Sequence, residues 1–408
     1  MSKLSQQEIM ALLVQLSVML LMGRLFAELA RKVKQPSVVG EIIAGLILGP
    51  TILGLINPDW FQTLFPAGSS SLVLDGFVQI AVVMLLFIAG LEVDLHIVWQ
   101  QGKQAVYTSI FGLIIPFSFG FIFPYFYPTF FGSTDQSRHL AYALFMGTSM
   151  AITALPVIAR ILMDLNLLKS RMGMLVISSA MITDLIGWLI FSVVLGMIGK
   201  EQNMSILNTL ILTVGFTVAM LTLGRGLMNR ALPWVNKKLA WPGGLLSLSL
   251  ALCFMGAAFT EYIGIHAVFG AFIVGVALGD SEHLSERAKE IIHQFINNIF
   301  APLFFVSIGL KVNFIANFDW ALTLAIIVIA FAGKIIGSSL GTRLGGFSWR
   351  ESIAASFGMN ARGAMEIILG LVALENGLIN ERVFVSLVIM ALITSITSGP
   401  LMKWVLKK

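Results

Sequence analysis

Apolar residues run along this chain in stretches of about 20, the length a helix needs to cross a hydrocarbon core about 30 Å thick. Polar residues gather in short clusters between the stretches. Following the runs and their breaks predicts thirteen membrane-spanning helices near residues 6–31, 38–56, 73–93, 103–127, 138–165, 170–199, 204–229, 243–261, 264–280, 287–311, 318–345, 350–376 and 381–406. The first run carries Lys3, Gln6, Gln7 and Glu8 but neither a basic leader region nor a cleavage site, so it reads as a retained first helix.

Composition agrees with the pattern and narrows it. Of the 408 residues, 57% are hydrophobic and 12% charged, with a mean hydropathy of +0.91, whereas a soluble domain carries roughly 25% charged residues. The fold class predicted is therefore an all-α polytopic membrane protein, a single transporter domain over 1–408 with no soluble domain. The net charge of +5 is small and dispersed, which excludes nucleic acid as a partner and leaves the lipid bilayer. Cys253 is the single cysteine, so no internal disulfide can form.

An odd number of spans puts the termini on opposite sides, and the excess of Lys and Arg in cytoplasmic loops tests which side is which. With the N-terminus outside and the C-terminus cytoplasmic, 18 of the 26 basic residues fall on the cytoplasmic side and five on the outer side. Tryptophans collect at membrane interfaces, and seven of the eight lie at or just beyond a predicted span end, with Trp188 alone inside one. A bacterial inner or plasma membrane is the expected location.

Three basic residues remain inside spans: Arg160, Lys334 and Arg362. Asp184 and Glu366 join them near span centres, while Glu28, Glu41, Glu92 and Glu261 lie nearer the edges. An ionisable group in the bilayer costs several kcal/mol and faces a protein interior or a water-filled cavity, so these five residues are the candidates for function. Each also has a structural alternative. Arg160 and Arg362 would cap carbonyls of a broken helix or pair with a carboxylate, Lys334 would be a fixed counter-charge, and Asp184 and Glu366 would be buried acids bonded to a neighbouring helix. Gly333, Gly337, Gly341 and Gly345 recur every four residues, a small-residue stripe that predicts close helix packing around Lys334.

Two spans are interrupted. The span at 138–165 contains Gly147 to Pro156 (GTSMAITALP), and the span at 350–376 contains Gly358 to Gly363 (GMNARG). Proline removes a backbone donor and clashes with the preceding turn, while glycine with Asn or Thr suits unwound backbone. Pro156, Gly358, Asn360 and Gly363 therefore mark a crossing of unwound helices. The two spans stand seven apart in order, so spans one to six and eight to thirteen would be inverted copies joined by a connector at 204–229. Paired interruptions in matching positions of two halves point to a transporter's binding site.

Two longer strings precede the interruptions: Pro36 to Pro50 (PSVVGEIIAGLILGP) and Leu86 to Asp94 (LFIAGLEVD). Followed by Thr153 to Arg160 (TALPVIAR) and an intramembrane aspartate, they resemble the monovalent cation:proton antiporters, second branch, over essentially the whole chain. The stretch from Met359 to Glu366 (MNARGAME) is similar to the twelfth helix of the plant cation/proton exchanger-like members, and the glutathione-gated potassium efflux transporters belong to the same branch. The resemblance implies a sodium/proton antiporter fold of thirteen helices with crossed discontinuous helices. It also implies a homodimer, with a dimerisation part at 1–100 and 243–315 and a moving core at 101–200 and 316–408. Asp184 matches the ion-binding aspartate of the sixth helix and Lys334 the basic residue of the eleventh. Members with two adjacent aspartates, and those with Asn-Asp and an arginine, both differ from this chain, which combines Thr183-Asp184 with Lys334.

The expected function is exchange of Na⁺ or K⁺ for H⁺ by alternating access, with no cofactor and no enzymatic activity. Burial favours the neutral form of a carboxyl, so protons would compete with a monovalent alkali cation at Asp184. Thr183, Thr153 and Ser149 would add oxygen ligands. With threonine at 183, a Lys334 that keeps its proton makes the exchange one cation for one proton and electroneutral; this is the preferred outcome over an electrogenic one. A sodium-coupled organic anion symporter of related fold is the alternative, and the two long strings argue against it. An intramembrane aspartyl protease would require two facing carboxylates, and a passive channel would require a carbonyl filter.

Overall fold

The computed structural model describes residues 4–407 apart from 34, 94, 134, 166, 169, 199–205 and 282. Lys3, Lys34, Lys169, Lys200 and Lys408 of the basic-residue asymmetry, and Asp94 of the second string, lie outside the described residues. The chain is helical throughout the described part. A capping box starts α1 (Gln6–Lys32): Ser5 Oγ accepts the Glu8 N–H, and Glu8 Oε2 accepts the Ser5 N–H at 2.7 Å. Then come α2 (Ser37–Leu48), the short α3 (Leu53–Ile56) and α4 (Pro58–Leu64), α5 (Ser69–Leu91) and α6 (Leu95–Phe126), which kinks at Gly102 where φ is +55°. The first interrupted span forms α7 (His139–Ala151) and α8 (Leu155–Asp164). It is followed by α9 (Arg171–Ile198), and α10 (Ile206–Ala219) continues through a π-turn at Met220–Gly224 into α11 (Arg225–Lys238). The remaining helices are α12 (Gly243–Tyr262), α13 (Ala267–Gly279), α14 (Glu286–Lys311), α15 (Trp320–Leu344), α16 (Trp349–Met359), α17 (Ala364–Glu375) and α18 (Glu381–Lys407).

Among the described residues, ten helices are long and apolar enough to cross a membrane, and α16 with α17 forms an eleventh span bent by 45°. Two of the thirteen predicted spans differ from this. The segment predicted at 264–280 is only the 13-residue α13, which is buried on all sides by protein and so need not match the lipid thickness alone. The segment at 138–165 is divided between α7 and α8.

Helix packing brings α2 and α5 against α14, α5 and α12 against α13, and α1 against α2 and α14. Elsewhere α6 lies against α7, α9 and α15, while α16 and α17 pack on α18. Apolar side chains such as Leu13, Leu21, Leu55, Leu223 and Leu227 point outward, as lipid contact requires. Trp60, Trp234, Trp320, Trp349 and Trp404 are exposed near helix ends, and Trp188 is buried against Phe191 and Phe272.

The glycine stripe of α15 faces α6. A Cβ at Gly337 would stand 2.4 Å from the Phe111 carbonyl oxygen, and one at Gly341 would stand 2.5 Å from that of Tyr107. Neither backbone can yield, so the stripe sets the distance between the helices. The crossing loosens only at Gly345, where a Cβ has ordinary contacts with α6. Gly337→Ala should therefore destabilise the protein by about 1–3 kcal/mol, the usual cost of overpacking, whereas Gly76→Ala, with nothing within 4 Å, should leave stability unchanged. Thermal unfolding in detergent micelles compares the two; equal melting points would contradict the packing described.

Candidate ion-binding site

The interruptions are shorter than the sequence predicts. Gly147 to Ala151 remains helical, and the backbone leaves the helix only at Ile152, Thr153 and Ala154. Pro156 is not at the break but in the first turn of α8, where a missing N–H leaves no hydrogen bond unmade. In the second interruption α16 ends at Met359, and the chain runs non-helically through Ala361, Arg362 and Gly363 before α17 begins.

The two unwound stretches meet and bond to each other. The Ala154 N–H donates to the Ala361 carbonyl at 2.9 Å, and the Thr153 hydroxyl donates to the Met359 carbonyl at 3.0 Å. Their side chains pack as well: a Cβ at Gly358 would meet the Ile158 side chain at 2.8 Å, and one at Gly363 would meet Val157 and Ala154. Gly358 and Gly363 thus permit the close approach of α16 and α17 to α8.

Each broken helix end exposes backbone groups and the end of a helix dipole, and charged side chains answer them. Arg362, fully buried, donates from Nη2 to the Met150 carbonyl at 2.6 Å and from Nη1 to the Ser149 carbonyl. Lys334, fully buried on α15, donates to the Gly112 carbonyl at 3.1 Å and to the Ala151 carbonyl. Two cations therefore sit at the negative, C-terminal end of α7. At the positive ends the charges reverse. Glu366 Oε2 accepts the Gly363 N–H at 2.8 Å as the N-terminal cap of α17. Asp184, midway along α9 and 1% exposed, accepts the Thr153 N–H at 3.3 Å just ahead of the start of α8.

Several polar atoms at the crossing have no hydrogen-bond partner: both amide atoms of Asn360, Ser149 Oγ, Arg362 Nε and Glu366 Oε1. Buried polar groups are rarely left so without water or an ion to meet them. The Thr183 hydroxyl donates back to the Ala180 carbonyl at 2.9 Å, which leaves its oxygen lone pairs for another partner.

A narrow cavity of about 20 Å³, room for roughly one water, reaches Arg362 and Gly363 between Pro36 and Val39 at the start of α2, Val157 and Leu392.

Asp184, Thr183, Thr153, Ser149, Lys334, Glu366, Arg362, Asn360, Gly358 and Gly363 all belong to the crossing or to the helix segments bonded to it. Arg160 does not. It lies midway along α8 on the exposed face of the helix, between the buried positions Ile158 and Leu162. Ser395 of α18, by contrast, donates to the Arg362 carbonyl and belongs to the network without having been predicted. The polar run Thr394-Ser395-Ile396-Thr397-Ser398 inside an apolar helix was the available signal.

Comparison with known proteins places this architecture. The family model described as sodium/hydrogen exchanger, transmembrane, matches residues 17–408. The Na⁺/H⁺ antiporter NhaS4 of Synechocystis sp. is 32% identical over 396 residues, covering 96% of both chains. The K⁺/H⁺ antiporter 1 of Saccharomyces cerevisiae is 34% identical over 382 residues, covering 90% of this chain and 43% of its own length. The fold is shared with the sodium proton antiporter MjNhaP1 of Methanocaldococcus jannaschii, with a TM-score of 0.67 at 20% identity over 97% of each chain. The protein is a multi-pass integral membrane protein, and it belongs to the sodium/hydrogen exchanger family.

Proposed function

We propose that this protein exchanges a monovalent alkali cation, Na⁺ or K⁺, for protons across a membrane, with Asp184 as the site that holds either one. The observation that carries the reading is the position of Asp184: a buried carboxylate facing the unwound stretch of one half-helix pair, with unpartnered oxygens of Ser149 and Asn360 in the two segments that cross there. Oxygen donors are what a hard alkali cation requires, and a carboxylate that binds a proton and a cation in turn couples the two fluxes. The names of the cyanobacterial and yeast relatives support exchange for protons and divide between sodium and potassium.

In this reading 101–200 and 316–408 form a core that carries the site past a scaffold of 1–100 and 243–315, the latter joining two copies in a homodimer. Residues 204–229 connect the inverted halves. In this reading the protein sits in a bacterial inner or plasma membrane, and the basic-residue asymmetry supports an N-terminus outside and a C-terminus in the cytoplasm. Alternating access by rocking one part against the other suits a site placed at a crossing of broken helices.

Lys334 acts as a fixed positive charge. Its ammonium is bonded to carbonyl oxygens of α6 and of α7's C-terminal end, where the helix dipole is negative. One cation then exchanges for one proton.

In proteoliposomes carrying a pH gradient, Asp184→Asn should abolish cation-dependent proton flux, reducing it at least a hundredfold, while the protein still elutes as a folded species. Persistent coupled flux in that variant would rule out Asp184 as the shared site. Adding Na⁺, K⁺ and Li⁺ in turn to the wild-type protein identifies the cation.

Charge movement supplies a separate check. Solid-supported-membrane recordings of the wild-type protein should show no sustained current during exchange, whereas a current tracking the cation gradient would mean that Lys334 gives up its proton in the cycle.

A further inference from the structure

At the end of α17 remote from the crossing, Glu375 enters a charged cluster with residues of two other helices. Its Oε1 pairs with the Lys311 ammonium of α14 at 2.8 Å, and its Oε2 accepts from the Gln79 amide of α5 at 2.8 Å. Lys311 also pairs with Asp75 of α5 at 3.0 Å. Asp75, Gln79 and Lys311 fall in the scaffold of the proposed exchanger, and Glu375 falls in the core. The cluster thus spans the boundary that alternating access must open.

Two features make this junction more than a surface ornament. The helix it holds is part of the site: α17 starts at Gly363 beside Arg362, is capped there by Glu366, and runs 12 residues, about 18 Å, to Glu375. A shift at one end moves the other. The narrow cavity that reaches Arg362 and Gly363 opens instead at the start of α2, on the opposite face, since the other end of α2 is pressed on Gly309 near Lys311. On the cluster's side a cavity of about 120 Å³, lined by Arg138, Tyr142 and residues 377–380 among others, includes no residue of the crossing, so the site is not reached from that face.

We propose that Glu375 is a positioning residue for exchange: its pairing with Lys311, Asp75 and Gln79 holds α17 against α5 and α14 and so keeps the site closed to the face that carries residues 376–380. The proposal rests on the antiport reading. By the basic-residue asymmetry this is the outer face. Releasing the cluster redistributes the protein toward the conformation open to that face. Affinity measured from a given side scales with the population of the state that faces it, so the two faces respond in opposite directions.

The experiment measures KM for the cation separately from the two faces in oriented proteoliposomes, for wild type, Glu375→Gln, Lys311→Ala, the double variant and Lys311→Arg. Glu375→Gln and Lys311→Ala should each lower KM about threefold at the cluster's face, which the minor conformation serves, and raise it by a smaller factor at the opposite face, the scale of bias a partly exposed ion-pair network supplies. The double variant should shift no further than either single, because both remove one interaction, and Lys311→Arg should keep both wild-type values. A brace with no part in positioning would lower the melting temperature and leave both KM values in place, which overturns the proposal, as would additive shifts. Hydrogen–deuterium exchange needs no transport: Glu375→Gln should speed exchange at residues 361–366, and a change confined to residues 372–380 also overturns it. Should Glu375→Gln fold poorly, Lys311→Ala breaks the same pair from the other side. Wild-type protein without cation-dependent proton flux would sink the exchange reading and the positioning role together; wild-type flux with unmoved KM values sinks the positioning role alone.

Discussion

Backbone amide and carbonyl groups have no water to turn to inside a bilayer, and two helices that stop halfway across expose a full set of them. The crossing satisfies these groups internally. Carbonyls at the end of α7 are met by Arg362 and Lys334, the Met359 carbonyl by the Thr153 hydroxyl, and the start of α17 by Glu366. One strand-like bond, from the Ala154 N–H to the Ala361 carbonyl, ties the two unwound stretches together. The charges buried at the crossing are therefore not isolated. Each is placed where a half-helix dipole has the opposite sign, and removing one leaves both a backbone group and a neighbouring charge uncompensated.

That constraint separates the ionisable residues by how fully the fold uses them. Arg362 holds two carbonyls and is itself bonded through its carbonyl to Ser395; Glu366 makes a 2.8 Å cap. Asp184 receives the Thr153 N–H at 3.3 Å, toward the long end for a hydrogen bond. That contact is longer than the 2.8 Å cap made by Glu366. A group that must exchange partners in every cycle has to be held loosely, and one that must preserve the crossing has to be held tightly. In the proposed exchanger, Arg362 and Glu366 fall on the tightly held side of that line and Asp184 on the other.

Much of this was legible in the sequence, and the reasons differ from residue to residue. Spans with lipid on one side leave a hydropathy signal, but α13 is enclosed by protein and ends after 13 residues, so a rule based on membrane thickness overstates it. Lys334 and the glycine stripe stand out because charge and spacing are written in side-chain identity. Pro156 advertises a break but sits just after it, in the first turn of α8, since proline is tolerated at a helix start. Arg160 falls within the predicted span, but it occupies the exposed face of α8 while Ile158 and Leu162 take the buried one, and span prediction does not say which face a residue occupies. The partners of Arg362 and Lys334 were illegible in principle. They are main-chain carbonyls, which every residue possesses, and only the fold selects which ones face the cations.

Position 183 shows how one side chain can alter what the others must do. A second carboxylate there would give Lys334 an acidic partner to bind and release. The threonine instead returns its proton to the Ala180 carbonyl, and Lys334 turns to the carbonyls of Gly112 and Ala151. Those carbonyls belong to α6 and to the end of α7, groups that bind no transported ion in the proposed cycle. In the proposed cycle, loading Asp184 with a cation then displaces neither of the lysine's hydrogen bonds. The lysine's bond to the Ala151 carbonyl places it at the C-terminal end of α7 independently of Asp184, so in the proposed cycle the cargo can change without remaking that contact.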